Sequence, residues 1–258
     1  MTETETQGVP GAFRRLEKRV GAEGLARLRD ARVAVFGLGA VGSFVIEALA
    51  RSGVGHLRLV DFDQIRPSNL NRQLFALSDT VGRPKVDVAV ERVRNINPAI
   101  DVDARRAFFD AAGADELLAP PIDWVVDAID SVGPKVGLIA EAVRRGLPII
   151  TAMGAADRSD PLQLRIGDLE DSKTCPLARH VRKRLHKLDI RSGVTAVWSV
   201  EPATGAIVED GDDGEDGGEE ALVRGRARRT LPSMAPLPGI FGLMIANHVI
   251  WSIVRGTR

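Results

Sequence analysis

Arg32–Asp63 reads RVAVFGLGAVGSFVIEALARSGVGHLRLVDFD: a strand, a glycine turn, a helix and a second strand that ends in acids. The apolar run Val33 to Phe36 is followed by Gly37, Gly39 and Gly42 in G-x-G-x-x-G spacing, and a helix is expected from Ser43 or just before it. Glycine lets the backbone turn tightly and come close to a phosphate. The free amides at the helix start, at the positive end of its dipole, supply an anion site. Asp61 closes the second strand 22 residues after Gly39, where a carboxylate can accept a hydrogen bond from a ribose hydroxyl. The pattern predicts a nucleotide-binding βαβ unit and leaves the nucleotide itself open.

Around this unit, 258 residues of which 44% are hydrophobic supply a substantial core, enough for one large α/β domain or two small ones. The 35 basic and 35 acidic residues cancel, so any polyanion site must come from local segregation of charge. Cys175 is the single cysteine, which excludes an internal disulfide and a CxxC zinc pair and fits a reducing cytosol. The polar N-terminus has no apolar signal-peptide core, and a cytoplasmic protein is expected. The most apolar stretch, Gly239 to Val254, is short of the ~20 apolar residues of a spanning helix and reads as a core or dimer-interface helix.

Residues 1–11 read as a disordered leader and 12–30 as a helical arm. After Asp63 comes a long polar connection broken by Pro67 and Pro84, and long connections of this kind are usually functional. Lys85 to Asn95 then reads as an amphipathic helix, Ile100 to Arg106 as the third strand, and DWVVDAI, Asp123 to Ile129, as a buried strand delivering Asp127 and Asp130 to its carboxyl end. Ligands of open parallel sheets bind outside that edge. A helix over Val136 to Arg145 and a strand over Pro148 to Ala152 complete a β-α repeat, which predicts a Rossmann-like, doubly wound, mainly parallel sheet over 31–153.

Beyond Met153 the pattern changes. Leu162 to Ile166 and Val194 to Val200 read as strands of a smaller antiparallel C-terminal extension, within a substrate or dimer part spanning 154–258. The helix expected between them, Pro176 to Lys187, carries Leu177, Val181, Leu185 and Leu188 on one stripe and Arg179, Arg182, Lys183, His186 and Lys187 opposite. That basic side is a solvated face or a polyanion-binding one. Residues 207–224 hold the acidic run EDGDDGEDGGEE, expected to be a disordered loop, and RGRARR reverses its sign at Arg224 to Arg229.

The polar groups after Asp61 choose among nucleotides. Asp63 ends the second strand; Asn69, Asn71, Arg72 and Gln73 follow on the loop; Val81-Gly82-Arg83-Pro84-Lys85 enters the next helix; Asp130 and Ser131 follow the fourth strand. Two cations, a glycine turn and an acid around a nucleotide suit a triphosphate with a divalent metal better than a dinucleotide.

The set GLGAVGS, LVDFD, NLNRQ, VGRPKV and DAIDS resembles the adenylating domain of the ubiquitin-activating-enzyme-like superfamily. FRRLEKRVG, EALARSGVG, NRQLFAL, RVRNINP and DAIDSVGPK resemble its tRNA threonylcarbamoyladenosine dehydratase branch most closely, and CPLARHVRKRL carries the likeness into the C-terminal part. The resemblance implies a single adenylating domain over 12–258 and ATP-dependent, ligase-type activation of a carboxylate as an acyl-adenylate. It implies that Gly37, Gly39, Ala40 and Gly42 lie against ATP, with Asp61 and Asp63, Asn69 and Ser131 also at the nucleotide. Arg72 and Lys85 would hold phosphates, Asp130 would position Mg2+, and Arg15 would reach the phosphates of the other subunit of a homodimer. Ala40 departs from the glycine common in the family. The implied substrate is tRNA, with Arg179, Arg182, Lys183 and Lys187 as candidate phosphate contacts, and a sulfur-relay protein is a candidate partner. The rival readings are adenylation of the C-terminal glycine of a sulfur-carrier protein, a non-catalytic scaffold, and NAD-dependent redox chemistry.

Four further expectations concern single residues. Cys175 reads as an ordinary helix-start residue, with a thiol activated by the helix N-terminus as the functional alternative. Asp127 is either structural or a second metal or phosphate group. Lys135 reads as a solvated first-turn lysine, with an approach to substrate as the alternative. His56, His180, His186 and His248 have no mutual ligand spacing and read as structural or surface residues.

Overall fold

The computed structural model describes residues 11–202 and 231–257. Strands β1 (Arg32–Phe36), β2 (His56–Val60), β3 (Asp101–Arg105), β4 (Trp124–Asp127), β5 (Ile149–Ala152), β6 (Leu164–Asp168) and β7 (Thr195–Ser199) form a seven-stranded sheet in the order β3-β2-β1-β4-β5-β7-β6. Every neighbouring pair is parallel except β6 with β7. The antiparallel extension is therefore present, but it is not a sheet of its own. β7 pairs parallel to β5 through Ile150 and Thr195, so the two strands lengthen the main sheet.

The helices are α1 (Arg14–Asp30), α2 (Gly42–Arg51), α3 (Lys85–Ile96), α4 (Ala114–Leu117), α5 (Val132–Arg144), α6 (Pro176–His186) and α7 (Pro236–Arg255). Alternate strand residues feed two cores, as a doubly wound sheet requires. Val33, Val35, Leu57 and Leu59 pack with α2, α3 and α7; Ala34, Phe36, Val60 and Val125 pack with α4, α5 and α6.

The arm helix α1 is kinked at Gly21, whose φ of 77° and ψ of 167° suit glycine alone. Its second half docks on α7, where Arg27 Nη1 donates to the Val254 carbonyl at 2.8 Å. Arg19 and Arg255 both lie over the Trp251 ring, at 5.0 and 5.1 Å from its centroid.

At 20 residues and a mean hydropathy of 1.6, α7 is longer than the apolar stretch read from sequence and could cross a membrane by length and composition. Its packing gives it another place. Leu237, Phe241, Ile245, Ala246 and Val249 are buried in the core shared with α2. Gly242 is needed there because a Cβ would sit 2.5 Å from the Val41 carbonyl oxygen.

His248 on the same helix meets Trp124 edge-on, with ring centroids 5.6 Å apart, and burial pushes its pKa below the ordinary 6.5. The unfolded chain thus takes up this proton more readily than the folded one. The stability contributed by neutral His248 is complete above the unfolded pKa and is lost as pH falls through 6.5 toward the folded value. Urea midpoints should accordingly drop between about pH 7 and about pH 5, and drop less in His248→Phe. Parallel pH profiles for the two proteins would contradict this.

The expected leader, apart from Gly11, and the acidic loop 207–224 lie outside the described residues.

Candidate nucleotide site

The order of strands reverses between β1 and β4, which opens a crevice at their carboxyl ends. Gly37 leaves β1 there with φ 87°, and its N–H donates to the Val60 carbonyl of β2 at 2.9 Å. A Cβ at Gly37 would lie 2.7 Å from the Ala128 carbonyl oxygen, and one at Gly42 only 1.8 Å from the Gly37 carbonyl oxygen. Both glycines are thus required by backbone approaching backbone. Gly39 is different, since a Cβ there would meet only Gln73 Nε2 at 3.7 Å, so the outer side of the turn is open. Ala40 lies outside the left-handed region and carries its methyl without strain. Helix α2 begins at Gly42, and Ser43 N–H donates to the Gly39 carbonyl at 3.0 Å.

Asp61 ends β2 and clamps the turn. Its Oδ2 accepts from Leu38 N–H at 2.6 Å and its Oδ1 from Asp63 N–H at 2.8 Å. Burial pushes its pKa up, and the nearby Lys85 ammonium opposes that shift. Asp63 in turn holds Lys85, Oδ2 to Nζ 2.9 Å, while Lys85 N–H donates to the Asp63 carbonyl at 3.0 Å. The loop therefore closes on itself: Lys85, the first residue of α3 and 6% exposed, is returned to the end of β2.

The connection between them carries Arg72. Its Nη1 donates to the Ser68 carbonyl at 2.7 Å and to Asn71 Oδ1 at 2.9 Å. Partial burial lowers the guanidinium pKa, and the charge of Asp130 across the crevice raises it. Arg72, Lys85, Asp61, Asp63 and Asp130 thus line one crevice beside the glycine turn. Asn69 serves the loop itself, its Oδ1 accepting from Arg66 N–H at 3.1 Å. Ser131 Oγ donates to Asp130 Oδ1 at 3.3 Å.

Lys135 is neither solvated nor open to a ligand. It is fully buried, with Nζ 2.6 Å from Asp127 Oδ2, 3.1 Å from Thr151 Oγ1 and 2.9 Å from the Ala152 carbonyl. Thr151 Oγ1 also donates to Asp127 Oδ2 at 2.5 Å, and Asp127 Oδ1 accepts from Ile129 N–H at 3.0 Å. Asp127 is structural: it fixes the turn that presents Asp130, just where Ala128 meets Gly37.

Other expected residues lie away from the crevice. Phe13 packs by Gly53, at the end of α2 remote from the glycine turn, so the exposed Arg15 does not serve the site of its own chain. Cys175 is buried at the start of α6, close to Gly154. Arg179, Lys183 and Lys187 are exposed, whereas Arg182 is tied to the Ser172 carbonyl at 2.7 Å and to the Ser172 hydroxyl. Leu188, expected on the apolar stripe, is exposed because α6 ends at His186. Among the described residues no group of three or more His, Cys, Asp or Glu could hold a metal ion.

The family model described as the ThiF family matches residues 13–257. The chain belongs to the ThiF family. Among curated ThiF relatives, the tRNA threonylcarbamoyladenosine dehydratase of Bacillus subtilis is 39% identical over 243 residues, covering 94% of each chain. The Escherichia coli molybdopterin-synthase adenylyltransferase is 36% identical over 153 residues, covering 59% of this chain and 60% of its own. Among solved structures, the Escherichia coli tRNA N6-threonylcarbamoyladenosine dehydratase in complex with ATP superposes with a TM-score of 0.82 at 31% identity, covering 95% of this chain and 94% of its own.

Proposed function

We propose that this chain is an ATP-dependent tRNA threonylcarbamoyladenosine dehydratase. The carrying observation is the convergence of Lys85, Arg72 and Asp130 on the glycine turn at the switch point of the sheet. The likeness to dehydratases over nearly the whole chain supports the choice of substrate. The likeness to sulfur-carrier adenylating enzymes runs over little more than half.

The residues present fit a nucleoside triphosphate. Gln73 Nε2 lies beside Gly39, and the buried Oε1 of the same amide has no hydrogen-bond partner among the described residues, an acceptor suited to a hydroxyl or amino group of a nucleoside. Asp130 is one carboxylate, which suits magnesium bound largely through phosphate oxygens and water and not a metal caged by protein. Magnesium held there would offset phosphate charge.

The chemistry starts from a carboxylate, which is a poor electrophile. Attack of its oxygen on the α-phosphate of ATP expels pyrophosphate and leaves an acyl-adenylate. A ureido atom of the same threonylcarbamoyl side chain then attacks the activated carbonyl, closing a ring and expelling AMP, with net loss of water. Lys85 and Arg72 neutralise charge growing on the phosphates, and the amides at the start of α2 bind it. No enzyme nucleophile is required, which agrees with the burial of Cys175. Because Arg15 lies remote from its own site, its action on phosphates takes a second copy, and a cytoplasmic homodimer is part of the proposal. The exposed Arg179, Lys183 and Lys187 suit tRNA phosphates.

Incubation with ATP, magnesium and threonylcarbamoylated tRNA should yield AMP and a nucleoside lighter by one water in mass spectrometry. Arg72→Ala should lower kcat/KM by about 10²-fold, while Cys175→Ala should leave it unchanged. An unaltered nucleoside mass, with carrier-dependent exchange of pyrophosphate into ATP instead, would replace this reading by carrier adenylation.

A further inference from the structure

The loop leaving β5 runs along the carboxyl edge of the sheet, the edge that carries the glycine turn, since β1, β4, β5 and β7 are parallel. It is clamped at two places. Glu201, just beyond β7, accepts from Ser159 Oγ at 2.9 Å, from Ser159 N–H at 2.9 Å and from Asp160 N–H at 2.9 Å. Asp157 N–H donates to the Pro232 carbonyl at 2.8 Å. Asp157 also adopts φ +56°, a left-handed conformation uncommon for a residue with a side chain.

What this clamped loop holds in place is Arg158, only 8% exposed. Its Nη1 donates to the carbonyl of its own neighbour, Asp157, at 2.7 Å, and its Nε is buried with no acceptor. No carboxylate lies within ion-pair distance among the described residues. Glu201 is near enough for the charge of Arg158 to help hold its carboxyl below the ordinary range, after the hydrogen bonds from Asp160 and Ser159, but both its oxygens are engaged by the loop. A buried guanidinium without a counter-ion is costly, and its fork of donors matches an oxyanion.

The neighbouring strap places this group. Asp157 holds the Pro232 carbonyl, and Asn71 Nδ2 donates to the very next carbonyl, that of Ser233, at 3.0 Å. Consecutive carbonyls of one short strap are therefore bound by the residues adjacent to Arg158 and to Arg72. The strap thereby links the loop of Arg158 to the loop of Arg72, which lines the crevice. On the nucleotide reading above, the phosphates already have Lys85, Arg72 and the turn, which leaves Arg158 for another oxyanion.

We propose that Arg158 is an oxyanion anchor for the second substrate, binding a carboxylate or phosphate of the modified RNA and orienting it toward the nucleotide. This rests on the dehydratase reading. The carboxylate of the threonylcarbamoyl group and a backbone phosphate are the two sources of that oxyanion.

Affinities of the wild type, Arg158→Met and Arg158→Lys for three probes test it: free N6-threonylcarbamoyladenosine, which has the carboxylate and no phosphate; unmodified tRNA, which has phosphates only; and ATP. Affinity for one of the first two should fall at least about tenfold in Arg158→Met, with ATP affinity unaltered and Arg158→Lys restoring only part. Loss with the nucleoside identifies the carboxylate. Loss confined to tRNA, with a salt slope shallower by about one, identifies a phosphate. The Tm of ligand-free Arg158→Met should equal or exceed that of the wild type, because a buried cation with no ion pair among the described residues has been removed. Unchanged affinity for both the nucleoside and tRNA, or a loss of ATP affinity, overturns the anchor. Arg158-dependent binding of either probe by a wild type that leaves modified tRNA unconverted sinks the dehydratase reading and leaves the anchor standing.

Discussion

Lys135→Met should destabilise the protein by about 3–5 kcal/mol, read as a lower urea midpoint at unchanged slope. The side chain has no exposure, and its ammonium is bonded to Asp127, Thr151 and the Ala152 carbonyl together. Methionine fills much of the volume but strands the fully buried Asp127 carboxylate, leaving the Thr151 hydroxyl and the Ile129 amide as its donors among the described residues. The asymmetry of buried pairs gives the control. Adding Asp127→Asn to Lys135→Met removes the stranded charge while keeping an acceptor for Ile129 N–H, so the double variant should recover much of the loss. A single variant within about 1 kcal/mol of the wild type would mean that water or another cation reaches Asp127, contrary to its burial. Since Asp127 fixes the turn before Asp130, ATP affinity should weaken in the single variant and partly return in the double one.

Lys135 also shows where sequence reading stops. One turn into a helix, a lysine ordinarily points to solvent, and nothing local says otherwise. What buries it is the convergence of Asp127 at the end of β4 with Thr151 and Ala152 at the end of β5. Those groups meet only once the parallel pairing of β4 and β5 is formed. Arg158 was equally invisible, because a loop arginine belongs to no motif and its loop is held by a strap more than seventy residues later in the chain.

By contrast, Arg32 to Asp63 was legible almost residue by residue. Its glycines, the change of hydrophobic period from two to 3.6 and the closing acid all act within one local unit. The same holds for Lys85, whose return to Asp63 completes a loop that begins and ends next to the glycine turn. The C-terminal strands fall between these cases. Alternation revealed β6 and β7, but that β7 would join β5 is long-range information. Leu162, read as a strand residue, lies 85% exposed in the Pro161–Gln163 turn, because β6 pairs only from Leu164 onward.

Gly42→Ala should cost more activity than any single side chain in the crevice, about 10³-fold in kcat/KM, with ATP affinity falling as the main component. The added Cβ would lie 1.8 Å from the Gly37 carbonyl oxygen, against roughly 3.4 Å for an ordinary contact, and a backbone oxygen cannot rotate away as a side chain would. The turn has to open. Gly37 cannot yield toward β4, where its own Cα already faces the Ala128 carbonyl, and its N–H is committed to Val60. The displacement therefore passes outward to Leu38 and Gly39, breaking the Leu38–Asp61 and Ser43–Gly39 bonds and misaiming the amides at the start of α2. Gly39→Ala is the internal control, since a Cβ there meets only the end of the Gln73 side chain at 3.7 Å and fills the open side where the nucleotide would approach. Its ATP affinity should fall while its folding stability stays near wild type; Gly42→Ala should lose both. Equal urea midpoints for Gly42→Ala and Gly39→Ala would show that the turn can relax around a methyl, and the close approach of Gly42 to Gly37 would then not be what fixes the phosphate site.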